Sequence, residues 1–297
     1  MAEVVTLGEC MAVLYPPEPV AIDQAARLLL DIGGAESNLA IQLWRLGHSA
    51  RFISRVGDDP LGRRIVRTLS EQGVDTTFVA VDAIAPTGVF FREWLPDGAR
   101  RVYYYRAGSA ASWLSPADLR PEAFEGTRIV HLTGITPALS AGCAATVARA
   151  IELAREAGAQ VSFDPNYRTR LWDEATARVT LLPLIAQADI LLMGHEDSVA
   201  VFGTDDAAAA MGQATALGVQ VVVFKQAERG AIALSGARSV HVPAHPVERV
   251  IDPVGAGDAF DAGFLAGLLR GYELEQALEL GARLGAAAVG ALGDYAG

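Results

Sequence analysis

The chain has 297 residues, 51% of them hydrophobic and 20% charged, enough to fold around a sizeable core. A net charge of −11, with 24 Lys and Arg and no basic run, argues against nucleic acid and anionic membranes as partners. Cys10 and Cys143 lack pairing or metal-ligand spacing, and no signal peptide or span of roughly 20 apolar residues is present, so a soluble cytoplasmic protein is expected.

In chain order, residues 4–7 (VVTL) form a short apolar run expected as a buried strand. Residues 35–46 are expected as a helix with Leu39, Leu43 and Leu46 on one face, stopped at Gly47. Residues 50–57 follow as a strand and 61–73 as an amphipathic helix ending at Gly73. Residues 129–134 read as a buried strand, 140–157 as an Ala-rich helix closed by Gly158, and 160–164 as a strand delivering Asp164 at its end. Strands at 189–193 and 219–224, with a helix between, repeat the unit. This alternation predicts an α/β fold with a mainly parallel sheet covered on both faces, binding ligands at the carboxyl ends of its strands.

One segment breaks the rhythm. Residues 87–108 are two β-rich runs joined by Pro96-Asp97-Gly98, a hairpin signal, and they concentrate Phe90, Phe91, Trp94, Tyr103, Tyr104 and Tyr105. A hairpin inserted in an α/β chain reads as a lid or a dimer surface. No linker or repeat is visible, so residues 1–297 are read as one domain carrying a β lid from about 13–33 and 87–108.

Two glycine-to-helix junctions carry the chemistry. Asp252-Pro253-Val254-Gly255-Ala256-Gly257-Asp258 runs directly into the apolar helix that starts near Ala259. Amides at a helix start lack intrahelical acceptors and sit at the positive end of the dipole, which favours a phosphate or a developing oxyanion. Gly255, Ala256 and Gly257 would supply those amides, and Asp258 could take a proton from an attacking hydroxyl. Alone, the segment is equally well a tight turn with an acidic cap. The second junction, 31–47, places Gly33-Gly34 before a helix, with Ser37 and Asn38 in its first turns able to meet a polyol.

Together with Val56-Gly57-Asp58-Asp59 and Leu61-Gly62, these segments resemble the ribokinase-like (PfkB) carbohydrate kinases over residues 3–294. Within that family the chain is most similar to 2-keto-3-deoxygluconate kinases. The likeness rests on Tyr104-Tyr105-Arg106-Ala107-Gly108-Ser109, on 132–139, and on Asp164-Pro165-Asn166-Tyr167-Arg168 followed by Leu171-Trp172. The resemblance implies a three-layer fold with a small β lid, ATP and Mg2+, and a homo-oligomer; a monovalent cation is left open. It implies that Gly34, Tyr104, Arg106, Ile135, Arg168 and Asp294 line a sugar-acid site, with Asp252 nearby and Phe90 where relatives tend to have Tyr. Arginine forks suit a carboxylate.

For the nucleotide, the resemblance assigns Gly194, Glu196, Lys225, Gly230 and Arg283 alongside Gly255 and Gly257, with Glu196 organising metal-bound water. Gly194 and Arg283 stand where the family often has Asn, Ala227 replaces a nucleotide-loop glycine, and the family's usual C-terminal helix would run past Gly297. The expected reaction is phosphoryl transfer to a primary hydroxyl. A fructokinase or other ketose or nucleoside kinase is the alternative within the class. A non-catalytic sensor of the same fold is the alternative outside it. A dehydrogenase is excluded because no Gly-x-Gly-x-x-Gly follows the first strand.

Overall fold

The computed structural model describes residues 1–291 and 293–295; Gly297 lies outside them. Thirteen strands form two sheets among these residues. The large sheet uses β1 (Val4–Leu7), β4 (Ala50–Gly57), β5 (Val79–Asp82), β8 (Ile129–Thr133), β9 (Gln160–Asp164), β10 (Ile190–Met193), β11 (Val221–Lys225), β12 (Ala231–Ser235) and β13 (Arg238–Val242). Their order is β13-β12-β11-β10-β9-β8-β1-β4-β5. Every pair from β11 to β5 is parallel, and β12 and β13 close the edge antiparallel. Sequence alternation foresees the parallel core but not that edge, where Gly236 turns a hairpin at φ 57° with no Asn-Gly-type signal.

The helices are α1 (Ala35–Arg45), α2 (Pro60–Glu71), α3 (Ile135–Leu139), α4 (Ala141–Glu156), α5 (Glu174–Ile185), α6 (His195–Asp197), α7 (Ala207–Ala216), α8 (Ala256–Leu269) and α9 (Leu274–Val289). The two-residue pleat sorts each strand between layers. Leu191, Met193, Val222 and Phe224 face one core with Val147, Ile151, Leu181 and Met211 of α4, α5 and α7. Ile190, Leu192 and Val223 face the other with Leu39, Leu43, Ile65, Phe264 and Leu278 of α1, α2, α8 and α9. The result is the three-layer arrangement expected of strands that read as continuous apolar runs.

The small sheet contains β2 (Met11–Tyr15), β3 (Leu29–Gly33), β6 (Val89–Trp94) and β7 (Arg100–Tyr105), in the order β3-β2-β6-β7. Its inner face packs Met11, Val13, Tyr15 and Phe90. Phe90 pairs with Tyr104 across β6 and β7, their rings 5.6 Å apart. Asp59 fastens this sheet to the body: Oδ1 accepts from the Leu61 and Gly62 amides at the start of α2, and Oδ2 accepts from Thr87 N at 2.8 Å. The 56–62 motif is therefore structural, a helix cap that also anchors the hairpin.

Candidate active site

A cavity of about 1830 Å3 opens between the small sheet and the carboxyl ends of the parallel strands. That exceeds the ~300–1,000 Å3 of a typical single-ligand pocket, so it has room for two substrates. Glu9 follows β1, Ile135 follows β8, Asn166 and Arg168 follow β9, Gly194 and Glu196 follow β10, and Lys225 ends β11; all of them line it. Strand-end convergence of this kind is the general rule for parallel sheets.

Gly255 caps α8 at φ 78°, in the left-handed region, and a Cβ there would collide with the Asp294 carbonyl. Both constraints select glycine. Among the described residues the amides of Gly255 and Gly257 have no acceptor, whereas Ala256 N makes a long 3.3 Å bond to the Pro253 carbonyl. An anion meeting this corner would therefore find chiefly two free amides and the α8 dipole, a narrower set than the three consecutive donors expected from sequence.

Asp258 lies in the first turn of α8 and lines the cavity. Burial pushes its carboxyl up to about 6, opposed by a hydrogen bond from Asn38 and the nearby Arg168 charge. Asn38 Nδ2 donates to Asp258 Oδ2 at 2.7 Å. Asn38 therefore orients Asp258, a role different from the polyol contact read from its place in α1. Gly34 is extended, and a Cβ on it would strike the Glu9 carbonyl, so close backbone approach selects the glycine.

The two arginines expected to face a carboxylate divide. Arg168 is exposed to the cavity and has no ion-pair partner among the described residues. Arg106 also lines the cavity, but its Nε donates to Glu9 Oε2 at 2.7 Å and its Nη2 sits against the same oxygen. Ser109 Oγ donates to the other Glu9 oxygen, which leaves that buried acid fully occupied. Phe90, Tyr104, Ile135 and Asp294 line the cavity as expected. Asp252 does not: it is buried behind the wall, where it accepts from Arg92. Asp294 is pushed up to about 7 by burial, against the pull of Arg92.

Lys225 lines the cavity already ion-paired. Its Nζ donates to Asp164 Oδ2 and Asp261 Oδ1, both at 3.0 Å, and it faces the cavity from behind Gly257. Two carboxylates hold it charged despite burial. It neutralises an acidic floor and so is not a free cation for phosphates. Arg283 is exposed on α9, one residue off the Ala282, Gly285, Ala286 and Val289 stripe that lines the cavity, so the structure leaves it outside. Gly194, Glu196 and Gly230 do line the cavity, with Gly194 N donating to Asp197 at 2.7 Å. Burial and the Asp164 charge raise Asp197 to about 6.

Sequence reasoning missed Glu9, Glu36, Arg92 and Asp261. Glu36 is buried and accepts from Thr133 Oγ1 at 2.7 Å and Thr136 Oγ1 at 2.8 Å. Arg92 and Asp261 are charged residues inside a largely apolar strand and helix, a sequence signal that could have exposed them, whereas Glu9 lies between β1 and β2 and Glu36 in the polar first turn of α1, with no such signal.

Ala227 adopts φ 50°, the left-handed region, at the turn after β11. An Ala side chain there costs about 1 kcal/mol relative to Gly. Ala227→Gly should accordingly leave stability unchanged or raise it by up to about 1 kcal/mol, measured by urea unfolding. A loss larger than that would mean the Ala227 methyl makes a contact the turn needs.

The whole chain, residues 1–297, matches the pfkB family carbohydrate kinase model. It is 35% identical over 297 residues to a 2-dehydro-3-deoxygluconokinase of Bacillus subtilis (strain 168), covering 99% of this chain and 92% of that one. It is 36% identical to a 2-dehydro-3-deoxygalactonokinase of Haloferax volcanii, covering 99% and 93%. A fructokinase of Klebsiella pneumoniae is 35% identical over 264 residues, or 88% and 83% of the two chains. A solved Escherichia coli structure in complex with ATP and Mg2+ superposes with a TM-score of 0.91 at 25% identity, over 99% and 95%. The chain belongs to the PfkB family of carbohydrate kinases and has the ribokinase-like fold.

Proposed function

We propose that this kinase transfers the γ-phosphoryl group of ATP to the primary hydroxyl of a sugar acid, 2-keto-3-deoxygluconate foremost. The observation that carries the acid is Arg168, a cation open to the cavity beside Asp258 and without an ion-pair partner among the described residues. A neutral ketose would leave that guanidinium without a charged partner. The fructokinase relatives keep a neutral ketose as the second reading.

In this reading Asp258, turned by Asn38, takes the hydroxyl proton as the oxygen attacks the phosphorus. The Gly255 and Gly257 amides, with Ala256 between them, hold the charge on the transferred group at the α8 start. Tyr104, Phe90 and Ile135 shape the sugar end, Gly34 and Asp294 face the sugar hydroxyls, and Glu9 holds Arg106 in place. Gly194, Glu196 and Gly230 edge the nucleotide end.

No cluster of three His, Cys, Asp or Glu that could hold a metal exists among the described residues. Exposed Glu196 suits a largely hydrated Mg2+ carried in with the nucleotide, to be contacted through water. When bound, that ion would neutralise the triphosphate. The small sheet would act as a lid, excluding water as a competing acceptor. Its exposed Tyr105, at 68%, suits a homo-oligomer, and the two free buried cysteines suit a reducing cytoplasm.

ADP release with Mg·ATP against 2-keto-3-deoxygluconate, its galactonate epimer, fructose, ribose and adenosine tests the reading. Turnover confined to the keto-deoxy acids is expected. Preference for fructose or ribose would remove the carboxylate argument. Silence on all five, with ligand-dependent melting shifts intact, would point to a sensor.

A further inference from the structure

Arg92 lies on β6 two residues beyond Phe90, so the pleat aims both toward the cavity. It is 4% exposed. Its Nη1 alone meets two acids, Asp252 Oδ2 at 2.8 Å and Asp294 Oδ1 at 2.7 Å, and its guanidinium lies 4.4 Å from the Tyr15 ring centroid. Nε and Nη2 are buried without a hydrogen-bond partner among the described residues. Such burial is expensive, and an apolar trio of similar volume would often be at least as stable. Stability alone is therefore a poor account of the arrangement.

Its location supplies a better one. Asp252 stands three residues before Gly255, and its Oδ1 accepts from Val254 N at 3.2 Å, inside the turn that leads into α8. Its backbone N bonds the Val289 carbonyl at the end of α9. Asp294 presses its carbonyl on Gly255, and its carboxylate abuts Gly33 at the end of β3. One side chain of the small sheet thus touches both acids that flank the anion-binding turn. We propose that Arg92 is a positioning residue through which the small sheet sets the geometry of the Gly255–Gly257 turn. Its effect on turnover rests on the kinase reading above; its effect on the turn does not.

Amide hydrogen exchange at 252–258 in the unliganded protein reads the second directly. The comparison uses wild type, Asp252→Asn, Arg92→Lys, and Arg92→Met/Asp252→Asn. In the double variant Asp294 can neutralise itself by taking up a proton, which guards against a simple failure to fold. Exchange at 252–258 should be roughly tenfold faster in the double variant than in Asp252→Asn alone. On whichever sugar wild type phosphorylates, kcat should fall by about tenfold or more with KM within about threefold, and Arg92→Lys should retain most of both. Unchanged exchange at 252–258 in the double variant, or acceleration confined to 89–105, would overturn the proposal. A wild type silent on every sugar acid would instead sink the substrate reading and leave the exchange result standing.

Discussion

Asp258→Asn is expected to lower kcat by about 10^2–10^4 while leaving sugar binding and the fold intact. The hydrogen bond from Asn38 at 2.7 Å can persist to the amide oxygen, so geometry is kept and only the proton acceptor is lost. In wild type, kcat/KM should rise through about pH 6, the value to which burial lifts this carboxyl. Stability moves the opposite way. An unfolded Asp titrates near ~4, so between there and about 6 the folded form binds more protons and stability falls as pH rises. The Asn variant lacks that penalty, and its melting temperature relative to wild type should climb from pH 4 to pH 8. Near-normal turnover, or a relative melting temperature that drops over that range, would take Asp258 out of the base role.

Arg168→Ala tests the acid. Loss of a charge-assisted contact should raise KM for a keto-acid by about 1.5–3 kcal/mol, or roughly 10–150-fold, with little change for a neutral ketose. A second effect separates from the first. The Arg168 charge holds the Asp258 carboxyl down, so its removal should shift the acid limb of kcat/KM to higher pH with either substrate. Equal KM changes for acid and ketose would show that Arg168 does not read a carboxylate. Arg106→Ala should behave differently, because buried Glu9 would lose its ion-pair partner and stability would fall with activity.

Much of this was legible before any coordinates. The segments at 4–7, 160–164 and 189–193 read as strands and are strands, and Gly47, Gly73 and Gly158 stop their helices with φ of 87°, 81° and 71°. The glycine-to-helix junctions were legible because a helix start has a fixed chemistry whatever the fold. Who holds whom was not. Asn38 and Asp258 are 220 residues apart, and no local pattern announces their hydrogen bond. The resemblance placed Lys225 at the nucleotide, but sequence shows its charge and not Asp164 and Asp261 around it. Arg283 lies off the cavity wall for a simpler reason: one residue along a helix is a turn of about 100°, enough to carry a side chain from the wall stripe to solvent.

The packing of α8 and α9 also bears on how the protein is made. Leu39 and Leu43 of α1 share a core with Phe264 and Leu278. At about 5–20 residues per second, synthesis leaves that face of the sheet covered only by α1 and α2 for about 10–40 seconds after α1 is made. The helix that carries Asp258 is thus also the lid on the folding problem: until it and α9 arrive, residues 1–255 carry a partly uncovered apolar surface, and the core and the proposed base are completed by the same stretch of chain.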